Sequence, residues 1–531
     1  MKQLEVKRRQ IEYLAKAFEV ILFLIIERKL GLEGCGFFLV AIMLFLMLWT
    51  FVGENLPDVL GKMIRIRKAK GQYKSIRNIR WYSFLSQLVL GVIGAFLMFG
   101  VGTYLGENVF GCPYGSLMIW ILSPLLFLRG ISFLLLGYCQ GEGSELPSVV
   151  ACVLRLIATY VFGVVLGTMA GEYGEKVSAL LKLPRYTAMY MGAGWCVAIV
   201  MAELVVILFL FCSFLSGNRR RREKEAESMK ASVSFSSFLG ACSKNVIFRA
   251  LICFLELFPV VIGMMMYYHR EGETAPLTYG TYFVGYFTIC ILFYRLLNAV
   301  AVPFWGKVSG FFRRDEVRLG RVSFHGGIHL LMALSMILSV GITAMPAQVG
   351  SLAGFTSPNV VKIVVQGSFW IVFASLGFYF SRMLMRFGKN ILVMGIGILC
   401  DILFVMLYKM LWSDEKMGLL ALMYASLIAI AIYAILLGAM AIQLIGGKVD
   451  WFRIVLLPAA IAGAIGILQA LCVKFIGEHL EALYVLVLIG GVGFVAYWCI
   501  LLLLRNFSEE ELSVMPFGGV LLGLGKMLGV F

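Results

Sequence analysis

Residues 124–147 read PLLFLRGISFLLLGYCQGEGSELP. Arg129 interrupts an apolar run, the run ends in a glycine-rich turn, and a second apolar run starts at Ser148. A bare guanidinium in hydrocarbon costs at least about 2.5–3.5 kcal/mol on insertion scales, so Arg129 needs a partner or a wet cavity. These residues imply a polytopic membrane protein built around a polar, mostly cationic, central cavity.

The rest of the chain supports that class. Of its 531 residues, 61% are hydrophobic and 14% charged, whereas a soluble protein carries about 25% charged residues. Apolar runs of roughly 20 residues recur from end to end, each long enough to cross about 30 Å of hydrocarbon. Only helices and closed barrels satisfy the backbone there, and these runs are too long and too uniformly apolar for alternating barrel strands. The expected fold class is therefore all-α. About fourteen spans are expected, near 11–30, 36–57, 81–107, 113–139, 147–170, 189–215, 237–267, 279–304, 322–345, 358–384, 388–411, 417–444, 451–476 and 481–505.

The net charge of +16 does not point to nucleic acid, because the basic residues collect in short gaps between apolar runs and no recognition module is visible. With a cytoplasmic N-terminus, inside segments hold roughly thirty of the basic residues and outside segments about ten. The densest inside loops are 62–80, 219–230 and 307–321. Both termini are expected in the cytoplasm, and the protein in the cell membrane. The first run carries Glu12, Lys16 and Glu19 and no small-residue cleavage site follows it, so it should remain as the first span. The twelve cysteines form no CxxC pair, which argues against zinc and redox motifs. Cys35 and Cys112 are both expected outside; unpaired thiols are the favoured reading and a disulfide between them the alternative. His325 and His329, spaced i, i+4, have no carboxylate or cysteine to complete a metal site and read as interface histidines. No cofactor is expected. The tail 507–531 is too short and broken for a sure span and reads as interfacial.

Two stretches look like copies of each other. The second span exits through Pro57, Gly61 and Lys62, and the eighth through Pro303, Gly306 and Lys307, each before a basic amphipathic stretch. The six-span offset suggests two six-helix lobes, 1–215 and 237–444, joined by a basic linker at 216–236 and followed by two extra helices in 445–531. An even number of spans per copy places the pseudo-axis along the membrane normal.

Charges inside the spans give the candidate site. Arg129, Arg155, Arg249 and Arg295 come out roughly 12–18 Å from the cytoplasmic end of their spans. Glu203 and Asp401 fall close to that level, Glu256 lies two turns beyond Arg249, and Lys16 lies nearer the cytoplasmic mouth. Pairing between helices would account for any one of these. Several arginines in excess of the acids suit an anionic head group such as a pyrophosphate, because arginine is planar, forked and permanently charged. Acids within spans also mark proton or sodium sites.

The stretch 124–150 resembles the fourth-to-fifth-span region of polysaccharide and lipid-linked oligosaccharide flippases of the multidrug/oligosaccharidyl-lipid/polysaccharide (MOP) superfamily. The resemblance rests on Pro124, Arg129, Gly130, Gly137, Tyr138, Gln140, Gly141 and Pro147. KLGLEGCGFFLVAIMLFLMLWTFVGENLPDVLGKMIRIRKAKGQ looks like the family's first-to-second-span region, and RLLNAVAVPFWGKVSGFFRRDEVRLGR is similar to its eighth-to-ninth connection. Arg155 departs from the pattern, since many relatives carry an acid there. The resemblance implies a V-shaped pair of lobes, alternating access and an undecaprenyl-pyrophosphate-type substrate. The expected function is therefore a flippase moving an anionic lipid-linked saccharide for cell-surface polysaccharide or cell-wall assembly. It would act as a monomer among membrane lipids, with H+ or Na+ as the coupling ion to consider. The alternatives are a cation-coupled multidrug exporter of the same fold, which an arginine excess disfavours, and an intramembrane acyl- or glycosyltransferase. The latter needs a catalytic acid, base or metal set, and neither a mid-span histidine nor an Asp-x-Asp cluster is present. The protein is therefore read as a transporter and not an enzyme.

Overall fold

A computed structural model of the chain describes residues 2–216, 233–282, 288–352, 358–412, 417–447, 449–476, 481–516, 518–527 and 529–530. The basic loop 219–230 and most of the linker expected at 216–236 lie outside these residues. Every regular element among the described residues is a helix.

Twelve described helices are long and apolar enough to cross a membrane, and a bent pair, Val361–Gly367 with Trp370–Arg386 at 45°, makes a thirteenth. The remaining expected span is the charged first run. Lys2–Val52 forms continuous helical structure broken at Gly31, where φ is 71° and ψ 173°. A straight helix would separate Arg8 from Asp58 by about 75 Å, yet their side chains lie 3.8 Å apart. The chain therefore turns back at Gly31, in a backbone region that only glycine enters without strain, and the two legs match the first two expected spans.

The chain divides into two compact units. One comprises Met1–Arg8 and Lys29–Gly280, the other Arg9–Arg28 and Thr281–Phe531. The repeat-based lobes cut the chain elsewhere. Part of the difference is the seventh span, Phe235–Glu271, which packs on Leu56–Ala69 and Tyr73–Leu97 within the first unit.

In the first unit, helices Leu146–Leu181 and Arg185–Ser216 pack tightly along most of their length. Small residues make that possible. A Cβ at position 163 would fall 1.9 Å from the Trp195 ring and one at 167 would fall 2.7 Å from its indole nitrogen, so this i, i+4 glycine pair forms the groove into which Trp195 fits. The third span turns Phe84, Leu88, Ile93 and Phe96 outward, an apolar face of the kind that meets lipid. Cys35 and Cys112 are both buried, and no disulfide joins them in the structure.

In the second unit, Ile289–Phe312, Val317–Ala344 and Trp370–Arg386 pack on one another. The two apparent repeat copies differ locally. Pro57 stands in the first turn of its own helix, Leu56–Ala69, whereas Pro303 lies inside a helix that continues to Phe312. The thirteenth span approaches the ninth closely at Gly466, where a Cβ would meet Val340 at 2.2 Å.

The tail is more ordered than an interfacial segment requires. Ser508 caps helix Glu509–Val514 in a capping box with Glu511. That helix seats on the ninth span. Asn506 and His329 share a 2.9 Å hydrogen bond, Phe507 lies with its ring centroid 4.1 Å from that of His329, and Lys307 Nζ donates to the Val514 carbonyl at 2.5 Å. His329 is thus a buried anchor for the tail, and no metal-binding group of histidine, cysteine and acid forms among the described residues.

Candidate functional site

The turn after the fourth span is where the local sequence is most demanding. Gly137 and Gly141 are spaced to lie on one face of helix Ser116–Gly141, and both meet helix Leu56–Ala69. A Cβ at 137 would lie 3.1 Å from Leu60 and Pro57, and one at 141 would lie 2.6 Å from Ile64. These glycines therefore serve helix packing, and the turn itself is made at Gly143 (φ +86°). Tyr138 donates its hydroxyl to the Arg80 carbonyl at 2.7 Å and lies 2.8 Å from Ser83 Oγ. The acids of the turn collect the basic residues around it: Glu142 pairs with Arg80 at 2.5 Å, and Glu145 with both Arg65 and Arg8 at 2.7 Å. The GYCQGEGSE segment is thus a clamp that fixes the short basic helix and the start of the chain to the end of the fourth span.

Deeper in the same unit lies the charge cluster. Arg155 donates from Nε to Glu203 Oε2 at 2.9 Å and from Nη2 to Oε1 at 3.0 Å. Ser132, one turn from Arg129, donates to Glu203 Oε1 as well. Arg129 Nε stands 3.5 Å from Glu203 Oε2. The Glu203 side chain has 0% exposure, that of Arg155 9% and that of Arg129 17%. Glu203 thus accepts from Arg155 and Ser132, while Arg129 Nε has no hydrogen-bond partner among the described residues. Among the described residues the cluster sets two arginines against one carboxylate, one positive charge in excess. Its guanidinium lies over the rings of Phe45 and Trp49 at 5.6 and 6.0 Å, and that of Arg155 over Phe133 at 5.5 Å, which stabilises cations away from bulk water.

The other expected residues stand elsewhere. Arg249 does not share the surroundings of Arg129. It lies 3.9 Å from Asp58, where the chain has left the second span, and both side chains are 40% exposed. Glu256, two turns further, is exposed. In the second unit Arg295 lies over the Tyr294 ring at 5.7 Å and Lys16 over Tyr13 at 5.7 Å. Asp401 is 8% exposed in its span, with one carboxylate oxygen lacking a hydrogen-bond partner. Ser132, Phe45 and Trp49 escaped the sequence reading. A hydroxyl one turn from a mid-span arginine is a usable signal, but aromatic residues on a helix of aromatic and aliphatic residues carry none.

This fold is shared with known transporters. The chain superposes on an inward-facing multidrug resistance MATE family transporter of the MOP superfamily with a TM-score of 0.60, at 14% identity, covering 81% of this chain and 94% of that one. A MOP superfamily transporter from Pyrococcus furiosus, described as having a binding pocket of reverse polarity that suggests a different function, gives a TM-score of 0.59 at 15% identity, covering 84% of this chain and 98% of that one. The chain is thus a multi-pass helical membrane protein with the fold of the MOP superfamily. In sequence it is 25% identical over 190 residues to Stage V sporulation protein B of Bacillus subtilis. That match covers 36% of this chain and about a third (34%) of the relative. No family model matches the chain.

Proposed function

We propose that the protein is a flippase that moves an anionic lipid-linked saccharide across the cell membrane by alternating access, a transporter rather than an enzyme. The observation that carries this reading is the buried cluster with one arginine in excess. Arg155 is neutralised by Glu203 and holds the spans together; Arg129, backed by Phe45 and Trp49, offers its spare donors to a phosphate oxygen. Charge-assisted bonds of this kind are short and strong in a poorly hydrated site. Arg249 and Arg295 would add to recognition, and Asp401, with its unpaired oxygen, is the acid best suited to a coupling H+ or Na+. The sequence resemblance to polysaccharide flippases supports an anionic cargo, and the relative described as having a pocket of reverse polarity agrees with a pocket unlike that of the multidrug transporters. The repeat-based six-helix lobes and cytoplasmic termini belong to the same proposal.

The second reading is a cation-coupled drug exporter, favoured by the likeness to MATE transporters. A cationic drug requires an acidic site, and the arginine excess opposes it. Reconstitution decides. Vesicles holding the protein are expected to flip an undecaprenyl-pyrophosphate-linked saccharide and to lose most of that activity with Arg129→Ala. Gradient-driven uptake of fluorescent cations, with no saccharide flipping, would establish the second reading instead.

A further inference from the structure

The second unit holds a cluster of rings that the charge cluster of the first unit does not involve. Phe378 is its hub. Tyr13, Tyr294 and Trp305 each meet the Phe378 ring edge-on, at centroid distances of 6.0, 5.7 and 5.4 Å, and Trp370 meets Tyr294 at 5.7 Å. These rings come from the first, eighth and tenth spans. Phe378 and Trp305 are buried, whereas Tyr13, Tyr294 and Trp370 are half-buried and keep open surface.

Three cations lie over rings of this set. Lys16 lies over Tyr13 at 5.7 Å, Arg295 over Tyr294 at 5.7 Å and Arg382 over Phe378 at 4.8 Å. Among the described residues Arg295 forms no ion pair. Charged side chains within spans turn away from lipid and toward protein or a watery cavity, so the rings they cover face inward rather than lipid.

A further observation points to a ligand. Tyr294, Asn298 and Trp305 lie at i, i+4 and i+11, one stripe of helix Ile289–Phe312. Asn298 has 0% exposure, and both atoms of its amide lack hydrogen-bond partners among the described residues, as does Trp305 Nε1. Buried polar groups are ordinarily paired. Here donors and an acceptor stand unpaired behind half-open aromatic faces with cations above them. That combination suits a sugar ring: its apolar C–H face lies on an aromatic ring, its hydroxyls seek amide and indole groups, and an attached anionic group seeks guanidinium and ammonium.

We propose that this ring cluster is a saccharide platform that binds a sugar ring carrying a phosphate, with Tyr294 and Trp370 setting preference for the sugar and Arg295 and Arg382 holding the phosphate. This rests on the flippase reading and extends it to recognition of the sugar itself. Calorimetric titration of the full chain in detergent tests it with three probes: N-acetylglucosamine 1-phosphate, inorganic phosphate and N-acetylglucosamine. The sugar phosphate is expected to bind about tenfold or more tightly than either part alone. Tyr294→Ala and Trp370→Ala are each expected to weaken sugar-phosphate binding about tenfold while leaving phosphate binding unchanged. Tyr294→Phe and Trp370→Phe, which keep the ring and the packing, should retain it, and Arg295→Gln should weaken both phosphate-bearing probes. Equal affinity for phosphate and sugar phosphate, no binding of the sugar phosphate, or alanine variants that keep the sugar preference would overturn the platform. Saccharide flipping that depends on Arg129 but persists unchanged in the ring variants would sink the platform alone and leave the flippase reading standing.

Discussion

Glu203 accepts two hydrogen bonds from Arg155, at 2.9 and 3.0 Å, and its side chain is wholly buried. The pair joins the fifth and sixth spans, and Arg129 of the fourth approaches the same carboxylate without a hydrogen bond from its Nε. Arg155 thus carries the hydrogen bonds to Glu203, and Arg129 is the arginine proposed to meet a ligand.

Breaking the pair from one side leaves a buried charge. Arg155→Ala is therefore expected to destabilise the detergent-solubilised protein by about 3–5 kcal/mol, whereas replacing Arg129, Arg155 and Glu203 together with leucine should cost much less, since apolar replacement of a whole buried ion cluster is often near neutral. Thermal melting of the single and triple variants checks this; equal losses in both would refute it.

The clamp at the fourth-span turn depends on space as much as on charge. Gly141→Ala puts a methyl group 2.6 Å from Ile64 and should cost about 1–3 kcal/mol through overpacking. Ile64→Ala in the same chain should recover part of that loss. Melting temperatures of the two single variants and the pair provide the comparison.

Gly31 should tolerate no side chain. At φ 71° and ψ 173°, alanine is strained by about 1–3 kcal/mol, although no neighbour lies within 4 Å of its Cβ. A melting-temperature loss in Gly31→Ala with unchanged oligomeric state is the expected result.

The tail helix should loosen in acid. Burial pushes the Glu511 carboxyl up, but the His329 ring 3.6 Å away and hydrogen bonds with Ser508 outweigh it and hold the group below the usual glutamate range. A carboxyl depressed in the folded state contributes stability that is full above its unfolded value, about 4.3, and that fades as pH falls through the folded value. An environment-sensitive fluorophore on Ser513→Cys, an exposed position, should report release of the helix at acid pH. Glu511→Gln should flatten that acid transition; an unaltered transition would assign it to another group.

Much of the fold was legible because lipid imposes a simple rule. Length and polarity located the expected spans, the first of them read as an apolar run despite Glu12, Lys16 and Glu19, and the basic-residue bias agreed with that division. The turn at Gly31 lay open in the sequence only as one glycine among several, since nothing local says which glycine takes positive φ. In the site, Arg129, Arg155 and Glu203 were named from their depth, and the structure brings those three together. Depth does not tell partners apart, so the neutralisation of Arg155 and the spare capacity of Arg129 emerged only from geometry. Arg249 stands apart from them beside Asp58, a neighbour that depth alone does not foretell. The packing role of Gly137 and Gly141 was not legible, because glycine looks alike in sequence whether it serves a turn or a close helix contact.

The most direct test of the account is flipping of an undecaprenyl-pyrophosphate-linked saccharide in vesicles by Arg129→Ala and by Arg129→Lys, with folding confirmed by unchanged melting. The account predicts loss of most flipping in Arg129→Ala and partial retention in Arg129→Lys, where the charge survives but the fork does not. Full activity in a folded Arg129→Ala protein would contradict it.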